Sequence, residues 1–154
     1  MKLDDARSSG VEGQRTTTRA LTSDAASVLV VDDDDSIRET LRFALEEEGY
    51  DVLDAYDGQS ALAVLRGSEH GLVVLLDHIM PGVDGATLLR QLSTERELAD
   101  RHSYVLITAS AHASTLEAEL NTLPLPSVSV VRKPFDLDTM FTAVREANLR
   151  LARE

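Results

Sequence analysis

Two hydrophobic rhythms alternate along this chain from residue 28 to its end, and they restrict the fold more than any other feature. Short β-branched or leucine-rich runs occur at 28–31, 51–55, 72–76, 104–108 and 128–131. Between them apolar residues recur at helical spacing. Ile37, Leu41, Ala44 and Leu45 share one face, as do Ala61, Leu62 and Leu65. Ala86, Leu89 and Leu92 repeat the spacing, and Leu137, Met140, Phe141, Val144 and Leu151 carry it to the end. A further helix is expected over 114–121, where the periodicity is weakest. Five strands alternating with five helices predict an α/β protein, a parallel sheet with helices on both faces. The runs 28–31 and 72–76 are apolar throughout, as buried central strands require. Gly49, Gly67 and Gly71 fall near helix ends, where a left-handed cap suits glycine. Ser36 and Glu39 have the spacing of a capping box opening the first helix.

Composition narrows the function. The chain has 154 residues, enough for one domain with a real core. It contains no cysteine, which removes disulfides, thiolate metal sites and cysteine nucleophiles. Its net charge of −12 repels phosphate backbones and anionic lipid, so neither nucleic acid nor membrane is an expected partner. The longest uninterrupted apolar runs are far shorter than the roughly 20 residues of a membrane span. Residues 1–26 are rich in Ser, Thr and Gly, carry balanced charge and lack an apolar signal region. They are expected to be a disordered extension to a folded domain at 27–154, in a cytoplasmic protein.

In a sheet of this kind ligands bind beyond the carboxyl ends of the strands. After the first run come Asp32, Asp33, Asp34 and Asp35. A solvated turn and a helix cap occupy one or two of these. Adjacent carboxylates about 4 Å apart repel by roughly 1 kcal/mol in water and roughly 4 kcal/mol near a protein surface, which a divalent cation would relieve. After the third run comes Asp77. Asp84, beyond the Pro81-Gly82 turn, is placed to cap the next helix, which leaves Asp77 without that task. The fourth run ends in Thr108-Ala109-Ser110 and the fifth in Lys133-Pro134. Of the 15 basic residues only Lys2 and Lys133 are lysines, so position 133 selects a compact ammonium over a planar guanidinium. Carboxylates, a hydroxyl and a lysine at one rim suit phosphoryl transfer. Magnesium binds one or two carboxylates and phosphate oxygens, a carboxylate accepts a phosphoryl group, and the remaining need is charge neutralisation.

The motifs VLVVDDDDSIR, LLDHIMPGVDG, VLITAS and VVRKPF, in that order, resemble the receiver domain of two-component response regulators. The resemblance covers about residues 27–152. It implies a flavodoxin-like (βα)5 fold with strand order 2-1-3-4-5. It implies that Asp77 accepts phosphate from a histidine kinase or histidine phosphotransfer protein. Asp32, Asp33, Asp77 and the backbone carbonyl of Ile79 would hold Mg²⁺, while Thr108 and Lys133 would contact the phosphoryl group. The Lys133–Pro134 bond would be cis, and the protein would catalyse only its own phosphorylation and dephosphorylation. As no effector segment follows the last helix, a stand-alone receiver signalling by protein contact is expected. Three features depart from the family pattern. Val130 stands where an aromatic switch residue is common, Leu123-Pro124-Leu125-Pro126 replaces a Gly-Ala turn, and Ile79 and Ser110 occupy positions that tune dephosphorylation.

Two other readings compete. A degenerate receiver could serve as a docking module without phosphorylation. A haloacid-dehalogenase-type phosphatase would use Asp32 and Asp34, but it needs a later acidic pair, and Asp136 and Asp138 instead open a helix. A calcium loop is excluded because the Asp run is contiguous, without alternate spacing or a central Gly.

Overall fold

The computed structural model describes residues 27–152; the expected extension at 1–26 lies outside the described residues. The elements are β1 (Ser27–Val31), α1 (Asp35–Glu47), β2 (Asp51–Ala55), α2 (Gly58–Gly67), β3 (Leu72–Asp77), α3 (Gly85–Leu92), α4 (Arg96–Arg101), β4 (Ser103–Thr108), α5 (Ala113–Leu120), β5 (Val128–Arg132) and α6 (Leu137–Ala152). The five strands form one parallel sheet in the order β2-β1-β3-β4-β5.

Burial follows that order. Every residue of β3 and β4 is buried, whereas β2 and β5 at the edges expose Asp51, Leu53, Asp54 and Arg132. Because successive strand residues point to opposite faces, alternate positions feed two cores. Val28, Val30, Val73, Leu75, Val105 and Ile107 pack under Leu41 and Leu45 of α1 and Met140, Val144 and Ala147 of α6. Leu29, Val31, Val74, Leu76, Tyr104 and Leu106 pack under α2, α3 and α5. Each fully buried Leu or Val in these layers contributes roughly 1.5–3 kcal/mol.

Three local expectations are corrected. The capping box at Ser36 and Glu39 does not form. Asp34 is the N-cap of α1, accepting from the backbone N–H of Ser36 at 2.9 Å and of Ile37 at 3.3 Å. Gly49 is left-handed as expected (φ +97°), but Gly67 and Gly71 are not. Gly71 is small for a different reason: a Cβ there would lie 2.7 Å from the Arg101 carbonyl oxygen. Between β3 and β4 there are two helices rather than one. The Ser93 and Thr94 hydroxyls donate to the Arg90 and Gln91 carbonyls, ending α3, and α4 follows. Ile37 and Leu137, on the apolar faces of α1 and α6, remain exposed. No helix among the described residues is long and apolar enough to cross a membrane.

Candidate functional site

The four consecutive aspartates divide their work. Asp35 pairs with Arg38 in the first turn of α1, and Asp34 caps that helix. Asp32 and Asp33 remain, the first buried and the second exposed. Asp32 is held on three sides. Its backbone N–H donates to Ala55 O at 3.2 Å, its carbonyl accepts from Arg38 Nη1 at 2.8 Å, and its Oδ1 accepts from the Asp34 N–H at 2.9 Å.

Asp77, the last residue of β3, is also buried. Carboxylate oxygens of Asp32, Asp33 and Asp77 all lie within 4.8 Å of one another. Burial pushes the Asp32 carboxyl above its ordinary value; the Asp34 N–H opposes that shift and the Asp77 charge adds to it. Lys133 brings its Nζ to 2.9 Å from Asp77 Oδ1. The Lys133 backbone N–H in turn donates to Thr108 O at 2.8 Å, which ties the start of the β5–α6 loop to the end of β4. The Lys133–Pro134 bond is cis, as expected.

Thr108 is buried, and its Oγ1 accepts from the Ser110 N–H at 3.0 Å and lies 2.8 Å from His78 Nδ1. Ile79 turns its side chain outward, whereas Met80 turns in and is buried. Asp84 caps α3 by accepting from the Thr87 N–H at 2.8 Å, the task expected of it. Asp32, Asp33, Asp77, Thr108 and Lys133 thus meet at one end of the sheet. Asp136 and Asp138 do not join them. Asp136 accepts from the Thr139 N–H at the start of α6, and Asp138 sits in that helix's first turn. The second acidic pair of a haloacid-dehalogenase-type site is therefore missing from this rim.

Sequence reasoning missed three residues here. Gly85 donates its N–H to His78 O at 2.7 Å, and a Cβ on it would lie 2.5 Å from Asp77 O and 2.8 Å from Leu106 Cδ1. Only glycine permits that approach of α3 to the end of β3. His78 contacts Thr108, as described. Asn121 bridges α5 to β5, accepting from the Val128 N–H at 2.9 Å and donating to Val128 O at 3.1 Å. This clasp holds the connection that Leu123-Pro124-Leu125-Pro126 makes without glycine. No period or spacing signals a contact of this kind.

Residues 28–145 match the family model described as the response regulator receiver domain. A chemotaxis protein of Vibrio cholerae is 24% identical with a TM-score of 0.67, covering 80% of this chain and 98% of its own. A CheY-like receiver domain protein from Methanospirillum hungatei is 27% identical with a TM-score of 0.64, covering 81% and 96%. The signal receiver domain of a signal transduction histidine kinase from Syntrophus aciditrophicus is 22% identical with a TM-score of 0.71, covering 84% and 95%. The chain belongs to the response regulator receiver domain family of two-component signalling. Its sheet order is that of the flavodoxin-like fold expected from the sequence.

Proposed function

We propose that Asp77 is the phosphoacceptor of a receiver domain spanning residues 27–154, with 1–26 as an extension to it. The phosphoryl group comes from a histidine kinase or histidine phosphotransfer protein, in the cytoplasm where such donors present it. One observation carries this reading: three carboxylates meet within 4.8 Å while Lys133 bonds one of the two buried ones, Asp77, at 2.9 Å. An Asp77 carboxylate oxygen attacks the phosphorus of a phosphohistidine. The P–N bond breaks with its electron pair passing to the ring nitrogen, and an aspartyl phosphate forms.

Three hard carboxylate oxygens so close together are a donor set that suits Mg²⁺. Asp32, Asp33 and Asp77 would hold the ion, with the Ile79 backbone carbonyl as a further ligand. When bound, the ion neutralises charge on the transferring phosphoryl oxygens. Lys133 balances the negative charge of Asp77 and of the incoming group. Thr108 donates its hydroxyl to a phosphoryl oxygen and so registers phosphorylation. A groove of about 620 Å³ opens beside Asp32 and Lys133, lined by Ile37, Leu41, Pro134, Phe135 and Leu137. It lies where the phosphohistidine-bearing donor must approach. The modified domain then signals through a protein contact.

Acetyl phosphate with Mg²⁺ should add one phosphoryl group per chain as an acid- and base-labile modification. Undiminished labelling in Asp77→Asn, or in the presence of EDTA, overturns the assignment.

A further inference from the structure

We infer, taking Thr108 as the hydroxyl that bonds the phosphoryl group, that His78 is a positioning residue that latches Thr108 in its resting place and so sets the threshold for activation. A threonine hydroxyl has one proton and two acceptor lone pairs. In the resting protein one lone pair is taken by the Ser110 N–H at 3.0 Å, and a second direction faces His78 Nδ1 at 2.8 Å. In either His78 tautomer, moving the Thr108 oxygen toward a group on Asp77 breaks the His78 contact. Asp77 is meanwhile held from another side by Lys133 at 2.9 Å.

The histidine is well placed to resist that motion. Its backbone is pinned at both ends, the N–H donating to Ile107 O at 2.8 Å and the carbonyl accepting from the Gly85 N–H at 2.7 Å. Ile107 is the residue opposite Asp77 in the sheet, so the latch is anchored in β4 beside the residue it restrains. Thr108 is buried, so water cannot readily replace the broken contact. The resting state therefore owns a hydrogen bond that the phosphorylated state gives up. Deleting the His78 end removes that bond from the resting state alone, and the equilibrium shifts toward the active arrangement.

Beryllofluoride with Mg²⁺, a phosphoryl mimic, measures the threshold as an affinity. His78→Leu should bind it roughly three- to ten-fold more tightly than wild type, what one neutral hydrogen bond is worth. His78→Asn, whose amide can replace Nδ1 as a partner, should restore the wild-type affinity. In a Thr108→Val background, which has no hydroxyl to latch, His78→Leu should change nothing. In the unmutated protein the His78 Nδ1 resonance should move when beryllofluoride is added, and should move less in Thr108→Val. Equal affinities for wild type and His78→Leu, with Asp77→Asn unable to bind, overturn the latch and leave Asp77 as phosphoacceptor intact. Binding undiminished in Asp77→Asn overturns both. An equal effect of His78→Leu with and without the Thr108 hydroxyl reduces His78 to a structural role and also overturns the latch.

Discussion

The Lys133 ammonium stands 2.9 Å from Asp77 Oδ1, joining residues 56 apart in sequence, the last of β3 and the first after β5, two strands that β4 separates. The lysine is about one-third exposed while the aspartate is buried, so the pair faces solvent from the lysine side only. A compact ammonium fits this approach; a planar guanidinium brings its charge at a different distance and needs a fork of acceptors. Lys133→Arg should therefore keep the fold and the net charge but weaken phosphorylation-dependent partner binding by about ten-fold or more, the equivalent of roughly 1.4 kcal/mol. A binding assay with and without phosphorylation checks this; wild-type behaviour of Lys133→Arg would make the residue a solvated surface charge.

Asp32 is the carboxylate most opposed to its own charge, since it is buried and faces Asp77 and Asp33. Asp32→Asn retains the oxygen that accepts from the Asp34 N–H and removes the repulsion. The variant should be more stable than wild type without metal, by about 1 kcal/mol. It should also lose most of the rise in Tm that Mg²⁺ gives the wild type. Asp77→Asn should gain less, because it leaves Lys133 without its partner. Thermal melts with Mg²⁺ and with EDTA separate the two.

His102 reports on acid stability. Its ring is buried and its Nδ1 accepts from the Leu72 N–H at 3.0 Å, and burial lowers its pKa to about 4 from 6.5. A histidine with a lowered folded pKa binds fewer protons folded than unfolded below pH 6.5. Stability is therefore full above that pH and falls as pH drops toward 4, by about 3 kcal/mol in all. Asp32 acts with the opposite sign, so the profile is cleanest in the Asp32→Asn background. There, His102→Asn, which keeps an acceptor for Leu72, should flatten the decline between pH 6.5 and 4 in denaturant melts.

The strand pattern, both central strands, the strand-end residues and the Asp84 cap were legible in the sequence because each follows a period or a position at a strand end. The break between α3 and α4 was not, since it depends on hydroxyls of Ser93 and Thr94 turning back onto the helix. Gly85 had no role in the sequence reading, because its close approach to Asp77 is a contact across the fold. His78 and Asn121 escaped for the same reason: their partners Thr108 and Val128 are set by tertiary register, which no local pattern encodes.

The groove beside the site should serve the protein donor and not the chemistry. Phe135→Ala and Leu137→Ala should slow phosphoryl transfer from a phosphohistidine protein by about ten-fold, through lost apolar contact area. Labelling by acetyl phosphate, which needs no docking surface, should stay near wild type in both. Equal losses with the two donors would place these residues in the site rather than at the docking surface.

The signal should leave through residues 109–121. Val130 has one stiff χ1 torsion and no ring to swing, so a rotamer switch at that position is not the readout. Ser110 is bonded to Thr108, and its Oγ accepts from the His112 N–H at 3.0 Å, which links the hydroxyl to the start of α5. Ala113 and Leu120 are the buried residues of α5, so the helix is weakly anchored. Hydrogen exchange with Mg²⁺ and beryllofluoride should change across 109–121 while 28–31 and 72–76 stay unmoved. Identical exchange at 109–121 alongside altered partner affinity would move the route to the loop at 79–85.

The identity of the phosphorylated atom is the central claim, and borohydride reduction reads it directly. An acyl phosphate is reduced to the alcohol, whereas a free carboxylate is not, so the modified aspartate becomes homoserine. After phosphorylation with acetyl phosphate and Mg²⁺, reduction and peptide mass mapping should find homoserine at position 77 and unreduced aspartate at 32, 33, 34 and 35. Homoserine at one of those four positions with Asp77 intact, or no reducible residue in a fully labelled protein, would contradict the account.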